Sequence, residues 1–153
     1  MRGFLLILSF LFATAAAAQP PIFDDPKGLI AHAYAPYVTG GFYEELTELF
    51  SPTLKQLWDG MAARSEAADM PIIDFDPLVN GQDFEIVDLV IADPVVGGDT
   101  ATVAVFFLNF GDPQELRFTL VRRAEGWKID DIQALGENSW RLSELLAADP
   151  LLN

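Results

Sequence analysis

From Phe84 onward the chain is divided into short extended segments by turns, and this spacing constrains the fold more than any other feature. Gly97-Gly98-Asp99, Phe110-Gly111-Asp112-Pro113 and Glu125-Gly126 separate four segments: Phe84 to Ala92, Thr100 to Asn109, Glu115 to Arg123 and Trp127 to Ile132. Parallel neighbours need a crossover of about a dozen residues or more, so connections this short make successive strands antiparallel. Within Glu115 to Arg123, Leu116, Phe118 and Leu120 fall on one face, and Glu115, Arg117 and Thr119 on the other. Thr102 to Leu108 differs. Val103, Val105 and Phe107 point one way, Ala104, Phe106 and Leu108 the other, and both sets are apolar. A central strand covered on both faces accounts for this: helices on one side, and a second layer, the chain's end or a partner on the other.

The first half supplies the helices. Leu29, Ile30, Ala33, Tyr34 and Tyr37 recur at helical spacing before Gly40-Gly41 interrupts. Phe42, Tyr43, Leu46, Leu49 and Phe50 predict a second helical stretch, with Glu44, Glu45 and Glu48 as its solvated face. Ser51-Pro52 restarts the helix, because serine caps and proline suits the first helical position. Leu54, Leu57, Trp58 and Met61 then carry a third helix to about Ala67. Asp69 to Asp83 is irregular, and Pro77 disfavours helix at Asp76. Asn138-Ser139 can cap a last short helix containing Trp140, Leu142, Leu145 and Leu146. Helices followed by a meander make an α+β domain, with N-terminal helices packed on a strongly curved antiparallel sheet. No internal repeat or second domain interrupts it.

The N-terminus bounds the compartment. Met1-Arg2, an apolar run from Phe4 to Ala17 and the small residues Ala16-Ala17-Ala18 form the three parts of a secretory signal peptide. The run falls short of the roughly 20 residues that span a bilayer, so it predicts a leader cleaved before Gln19 rather than an anchor. Removal of residues 1–18 from the 153 leaves one domain, 19–153, of a length that supports a single core. With Arg2 gone, eight basic side chains face 23 acidic ones, a formal charge of −15. Such a surface repels nucleic acid and anionic lipid and favours cationic ligands or a basic partner. The chain has no cysteine and one histidine, His32, which removes thiol catalysis, zinc–thiolate sites and multi-histidine metal centres. A periplasmic or secreted protein of a Gram-negative bacterium fits these terms.

Phe42-Tyr43 in an early helical stretch, Asp74-Phe75-Asp76-Pro77 followed by Gln82-Asp83, and Gly126-Trp127-Lys128-Ile129-Asp130-Asp131-Ile132 together carry a resemblance. The stretch from Phe42 to Leu146 resembles the cystatin-like, nuclear-transport-factor-2-like cone superfamily, and within it a family of uncharacterised exported bacterial proteins. The resemblance implies export and a helical wall over a curved sheet. It implies no particular reaction.

Three groups of residues are candidates for chemistry. Asp74, Asp76 and Asp83, with Asn80 and Gln82, are the densest set of oxygen donors, but they lack the alternating register and closing Glu of a calcium loop, and the Asp-Pro turn accounts for them equally. Asp130 and Asp131 sit where a last strand passes a cone's mouth, and adjacent strand residues point to opposite faces, so at most one points inward. Ile129 and Ile132 do not share parity, which predicts a bulge or strand end near Asp130. An aspartate base with Tyr34, Tyr37 or Tyr43 as phenolic donor would make a cone-fold enzyme. The competing reading is an aspartate that satisfies turn or helix-end amides. His32 has no nucleophile or ligand one helical turn away, and the tryptophans and phenylalanines fit a plain core.

The sequence therefore predicts a non-catalytic binding or interaction module with no cofactor, metal or catalytic residue assigned. Tyr43, Trp58, Asp76, Gln82, Asp83, Trp127 and Asp130 are expected to border its pocket. Its partner would be a small apolar ligand in the cone or a basic envelope protein on the acidic surface, and Thr102 to Leu108 could seat a second copy. The alternatives are a small cofactor-free enzyme of the isomerase or SnoaL-like cyclase type, with Asp130 or Asp76 as base, and an acidic inhibitor or immunity-like protein.

Overall fold

The computed structural model describes residues 21–148. The expected leader and its cleavage point before Gln19 lie outside the described residues. Helix α1, Pro26–Tyr34, starts where Asp25 caps it, accepting from the amides of Lys27 and Gly28. Helix α2, Pro52–Ala68, starts at Ser51, whose hydroxyl accepts from the Leu54 amide at 3.1 Å, with Pro52 as first residue. It stops at Asp69, held left-handed at φ 52°, a conformation that a short polar side chain tolerates.

Between these helices the expected second helical stretch is reduced to a single 3-10 turn, Leu46–Leu49. Tertiary pairing overrides the local periodicity. Phe50 is drawn extended to bridge Ile129, and the Ser51 amide donates to the Ile129 carbonyl at 2.7 Å. Phe42, expected on the apolar side, is exposed.

Six antiparallel strands follow: β1 Ile86–Ile91, β2 Val95–Gly97, β3 Thr100–Asn109, β4 Asp112–Arg123, β5 Gly126–Ala134 and β6 Trp140–Arg141. Their order is β1-β3-β4-β5-β6, with β2 continuing the edge beside β3, and the sheet does not close into a barrel. The turn from β3 to β4 is tighter than the sequence suggests. Phe110 and Gly111 both have positive φ, so two residues reverse the chain and Asn109 pairs directly with Asp112. A bulge places Asp130 as the extra residue of β5, between Ile129 opposite Leu120 and Asp131 opposite Thr119. The parity break at Ile129 and Ile132 is thus a bulge. A second irregularity interrupts β1 between Val87 and Val90, where Asp88 has φ 55°.

Asn138 and Ser139 do not cap the last helix. Trp140–Arg141 is a strand paired with β5, and α3, Leu142–Ala147, is capped from outside its own segment. Asp131 accepts from the amide and the hydroxyl of Ser143 at 3.0 and 2.8 Å. The helices lie against one face of the sheet, and Arg64 of α2 donates to the Leu146 carbonyl of α3. Leu29, Ile30 and Tyr34 meet Val103, Val105, Phe107, Leu116, Phe118 and Ile132 there, all buried. Tyr34 packs its ring on Phe107 and Phe118 at 6.0 and 6.1 Å between centroids. Its hydroxyl donates to the Leu78 carbonyl at 2.7 Å, which satisfies the one polar atom that the ring carries into the core.

Candidate functional site

The seven residues expected around one pocket fall into two groups. Tyr43, Trp58, Trp127 and Asp130 belong to the start of β5 and the segments packed on it. Phe23 bridges Gly126, and the Trp127 amide donates to the Phe23 carbonyl at 2.8 Å. The Phe23 ring reaches His32 at 5.0 Å, and His32 Nε2 shares a 2.9 Å hydrogen bond with the Tyr43 hydroxyl. Burial first, and then the charge of Glu48, raise the Tyr43 phenol above its ordinary pKa. Trp58 stands edge-on to Phe50, and Trp127 is buried with the Arg122 guanidinium 6.0 Å from its ring centre. His32 is thus an exposed histidine between two aromatic rings, tilted to Phe23 and edge-on to Tyr43.

Asp76, Gln82 and Asp83 belong to the loop before β1, where turn chemistry uses them. The Asp76 carboxylate accepts from the Tyr37 hydroxyl at 2.5 Å and from the Leu78 amide at 2.8 Å, and its own amide donates to the Gly81 carbonyl. Burial, the hydrogen bond to Asp76 and the charge of that carboxylate push the Tyr37 phenol well up. Gln82 donates to Asp74, and Asp83 accepts from the Phe84 amide. Both Asp76 oxygens accept hydrogen bonds, one tying the loop to Tyr37 after α1 and the other closing the turn at Leu78. Asp131 likewise serves amides, those of Ile132 and of Ser143 at the start of α3. Among the described residues no group of three or more His, Asp or Glu is placed to hold a metal ion.

The open chemistry lies on the other side of the sheet. Cross-strand partners share a face, so the register arranges that side into rows. Val90 lies beside Phe106, which faces Glu115; Val87 lies beside Leu108, which faces Pro113; Ala104 faces Arg117, which faces Gln133. Phe106, Val87 and Val90 are exposed, as is Phe110 on the turn. A depression of about 470 Å³ runs across Phe106, Leu108 and Pro113 towards Leu135 and Gly136, between Asp88 and Glu115. A second, of about 410 Å³, adjoins it at Pro113, Gln114, Leu135 and Gly136 and lies past the strand ends, where Asn80, Asp112, Glu137 and Asn138 line it; Asp112 pairs with Asn109 and Gln114 with Phe107, which belong to the helix side. Every ionisable side chain lining these two joined depressions is a carboxylate.

None of the seven expected pocket residues lines this groove. The sequence signal that pointed to it was the two-faced apolarity of Thr102 to Leu108. The carboxylates come from β1, β4 and two turns, and nothing in their spacing announces that they meet.

No protein-family model matches the chain, and no curated protein matches it in sequence. Among solved structures it is similar to one chain of the type VI effector–immunity complex Tae3–Tai3 from Ralstonia pickettii. The TM-score is 0.55 and the identity 18%, over 74% of this chain and 98% of that one. A second similarity, to a phospholipid-binding protein from Ralstonia solanacearum solved with a phospholipid, has a TM-score of 0.35 at 19% identity and covers 80% of this chain and 59% of that one. At these identities the first shows a shared α+β fold, and the second is too distant to carry an argument.

Proposed function

We propose that this protein is an exported, non-catalytic interaction module of the bacterial envelope whose partner is a basic protein. The observation that carries the reading is the contrast across the sheet. A small apolar ligand in a cone would need the space that Tyr34, Phe107 and Phe118 occupy on the helix side. The opposite side leaves Phe106, Leu108 and Pro113 along a groove edged by carboxylates.

The charge of the whole chain, −14, supports the same reading, because a field of one sign steers a partner of the other. So does the occurrence of this fold in one chain of a complex between two proteins, although a fold hosts many functions and the weight rests on the surface. In this reading residues 1–18 are a leader, Gln19 begins the mature chain in the periplasm, and the domain is a variant of the cystatin-like cone.

Native mass spectrometry of the protein recovered from a Gram-negative periplasm tests this. The expected species begins at Gln19 and carries one basic protein, released as salt rises. A bare chain, or one carrying a small molecule in place of a protein, would overturn the proposal.

A further inference from the structure

We infer that the groove at the Phe110-Gly111 end of the outer sheet face docks a cationic segment of a protein partner, one that alternates lysine or arginine with apolar side chains. The inference rests on the interaction role proposed above and names its surface and the chemistry that surface selects.

Three features converge there. The floor is apolar: Phe106 is 40% exposed although it lies mid-strand, and Leu108 and Pro113 continue the stripe towards Leu135. Ala104, Arg117 and Gln133 form the next row and end the strip there, and a contiguous exposed apolar strip of this kind marks a contact surface. Asp88 and Glu115 flank that floor, and Asp112 and Glu137 line the adjoining depression past the strand ends, with no lysine, arginine or histidine lining either one. The edge beside the groove is also closed to strand addition. Asp88 is left-handed and breaks the β1 register between Val87 and Val90, so a partner meets side chains here rather than a row of free amides.

This chemistry chooses among occupants. A second copy related by a two-fold axis would set a surface whose ionisable groups are all carboxylates against an identical surface, and like charges in a shared interface oppose pairing. Nucleic acid and anionic lipid are repelled for the same reason. An apolar segment without charge would leave the carboxylates desolvated and unpaired. A segment with cationic ends and apolar stems satisfies both parts of the groove, since lysine and arginine lay aliphatic stems on apolar surface and carry charge at the tip.

The test uses the full mature chain, isotopically labelled, and an eight-residue Lys-Leu repeat peptide as probe, with the Glu-Leu repeat as its counterpart. Amide shifts are expected at Leu108, Glu115, Leu135 and Gly136, with no response to the acidic peptide. Neutralising the rim by Asp88→Asn, Asp112→Asn, Glu115→Gln and Glu137→Gln should weaken binding at least tenfold at low salt. Neutralising Glu44, Glu45, Glu66 and Asp69 to their amides removes the same charge elsewhere and should change binding less than twofold.

Shifts on another face, or equal loss in the two variants, would overturn the site. So would a chain that sediments as a dimer and becomes monomeric with Phe106→Ser, because the occupant would then be a second copy. If the periplasmic protein carries a basic partner while the peptide maps elsewhere, this surface fails and the interaction role stands. If it carries none, the role fails first.

Discussion

Phe106 and Phe107 are neighbours on β3 with opposite surroundings. Phe107 is 3% exposed beneath α1, with Tyr34 against its ring; Phe106 is 40% exposed on the far side, opposite Glu115. One strand therefore carries a core residue and a surface residue of identical chemistry, and only the helices distinguish them. The lesson is that the sheet is asymmetric in use. Its inner face contributes stability, and its outer face keeps apolar area exposed that stability alone would not select.

Paired substitutions should expose that asymmetry. Phe107→Ala opens a cavity in the inner layer and should cost about 3–5 kcal/mol in urea unfolding. A loss below about 1 kcal/mol would mean that the inner layer is loosely packed and has room for a ligand. Gly126→Ala comes next. Its φ of 92° suits glycine, and a Cβ there would stand 2.5 Å from the Phe23 carbonyl oxygen. The substitution should cost about 2 kcal/mol and detach the strap of residues that carries Phe23, which faster proteolysis near Phe23 would report. Full retention of stability would show that the Phe23 bridge contributes nothing.

The inner face should also respond to alkali. Burial, followed by the charges of Asp76 and Tyr37, raises the Tyr34 phenol well above its ordinary value near 10, and Tyr37 is raised too. The folded protein therefore keeps these protons where the unfolded chain has released them. Stability is unaffected below about pH 9 and falls as pH rises through 10, by about 1.4 kcal/mol per pH unit for each proton held. Chemical unfolding between pH 8 and 11 measures this, and Tyr34→Phe should flatten the slope. The smallest effect belongs to the outer face. Phe106→Ala should change stability by no more than about 1 kcal/mol, since much of the ring is already in water. A cost equal to that of Phe107→Ala would erase the comparison and assign the outer stripe to the core.

Much of this architecture was legible in advance. Ser51-Pro52 marked the start of α2, the turns marked the strands, and the parity of Ile129 and Ile132 marked the bulge at Asp130. The failures share a cause. Phe42 to Phe50 has helical periodicity, yet Phe50 and Ser51 are committed to Ile129, far along the chain. Asn138-Ser139 has the composition of a cap, but Asp131 holds that place from a neighbouring strand. Asp76, Gln82 and Asp83 spend side-chain hydrogen bonds within the loop before β1, a use that residue type alone does not reveal.

By itself the sequence determined the α+β class, the antiparallel pairing of successive segments and the residues on each side of Thr102 to Leu108 and of Glu115 to Arg123. These follow from side-chain period and turn length, which are local properties of the chain. Only the tertiary structure decided which side of β3 the helices cover, and therefore which of two apolar faces is core. It alone brought Asp88 and Glu115 to one groove and Asp112 and Glu137 to the depression adjoining it, because such a meeting depends on strand register and chain reversal, and no spacing along the chain encodes the distance between them.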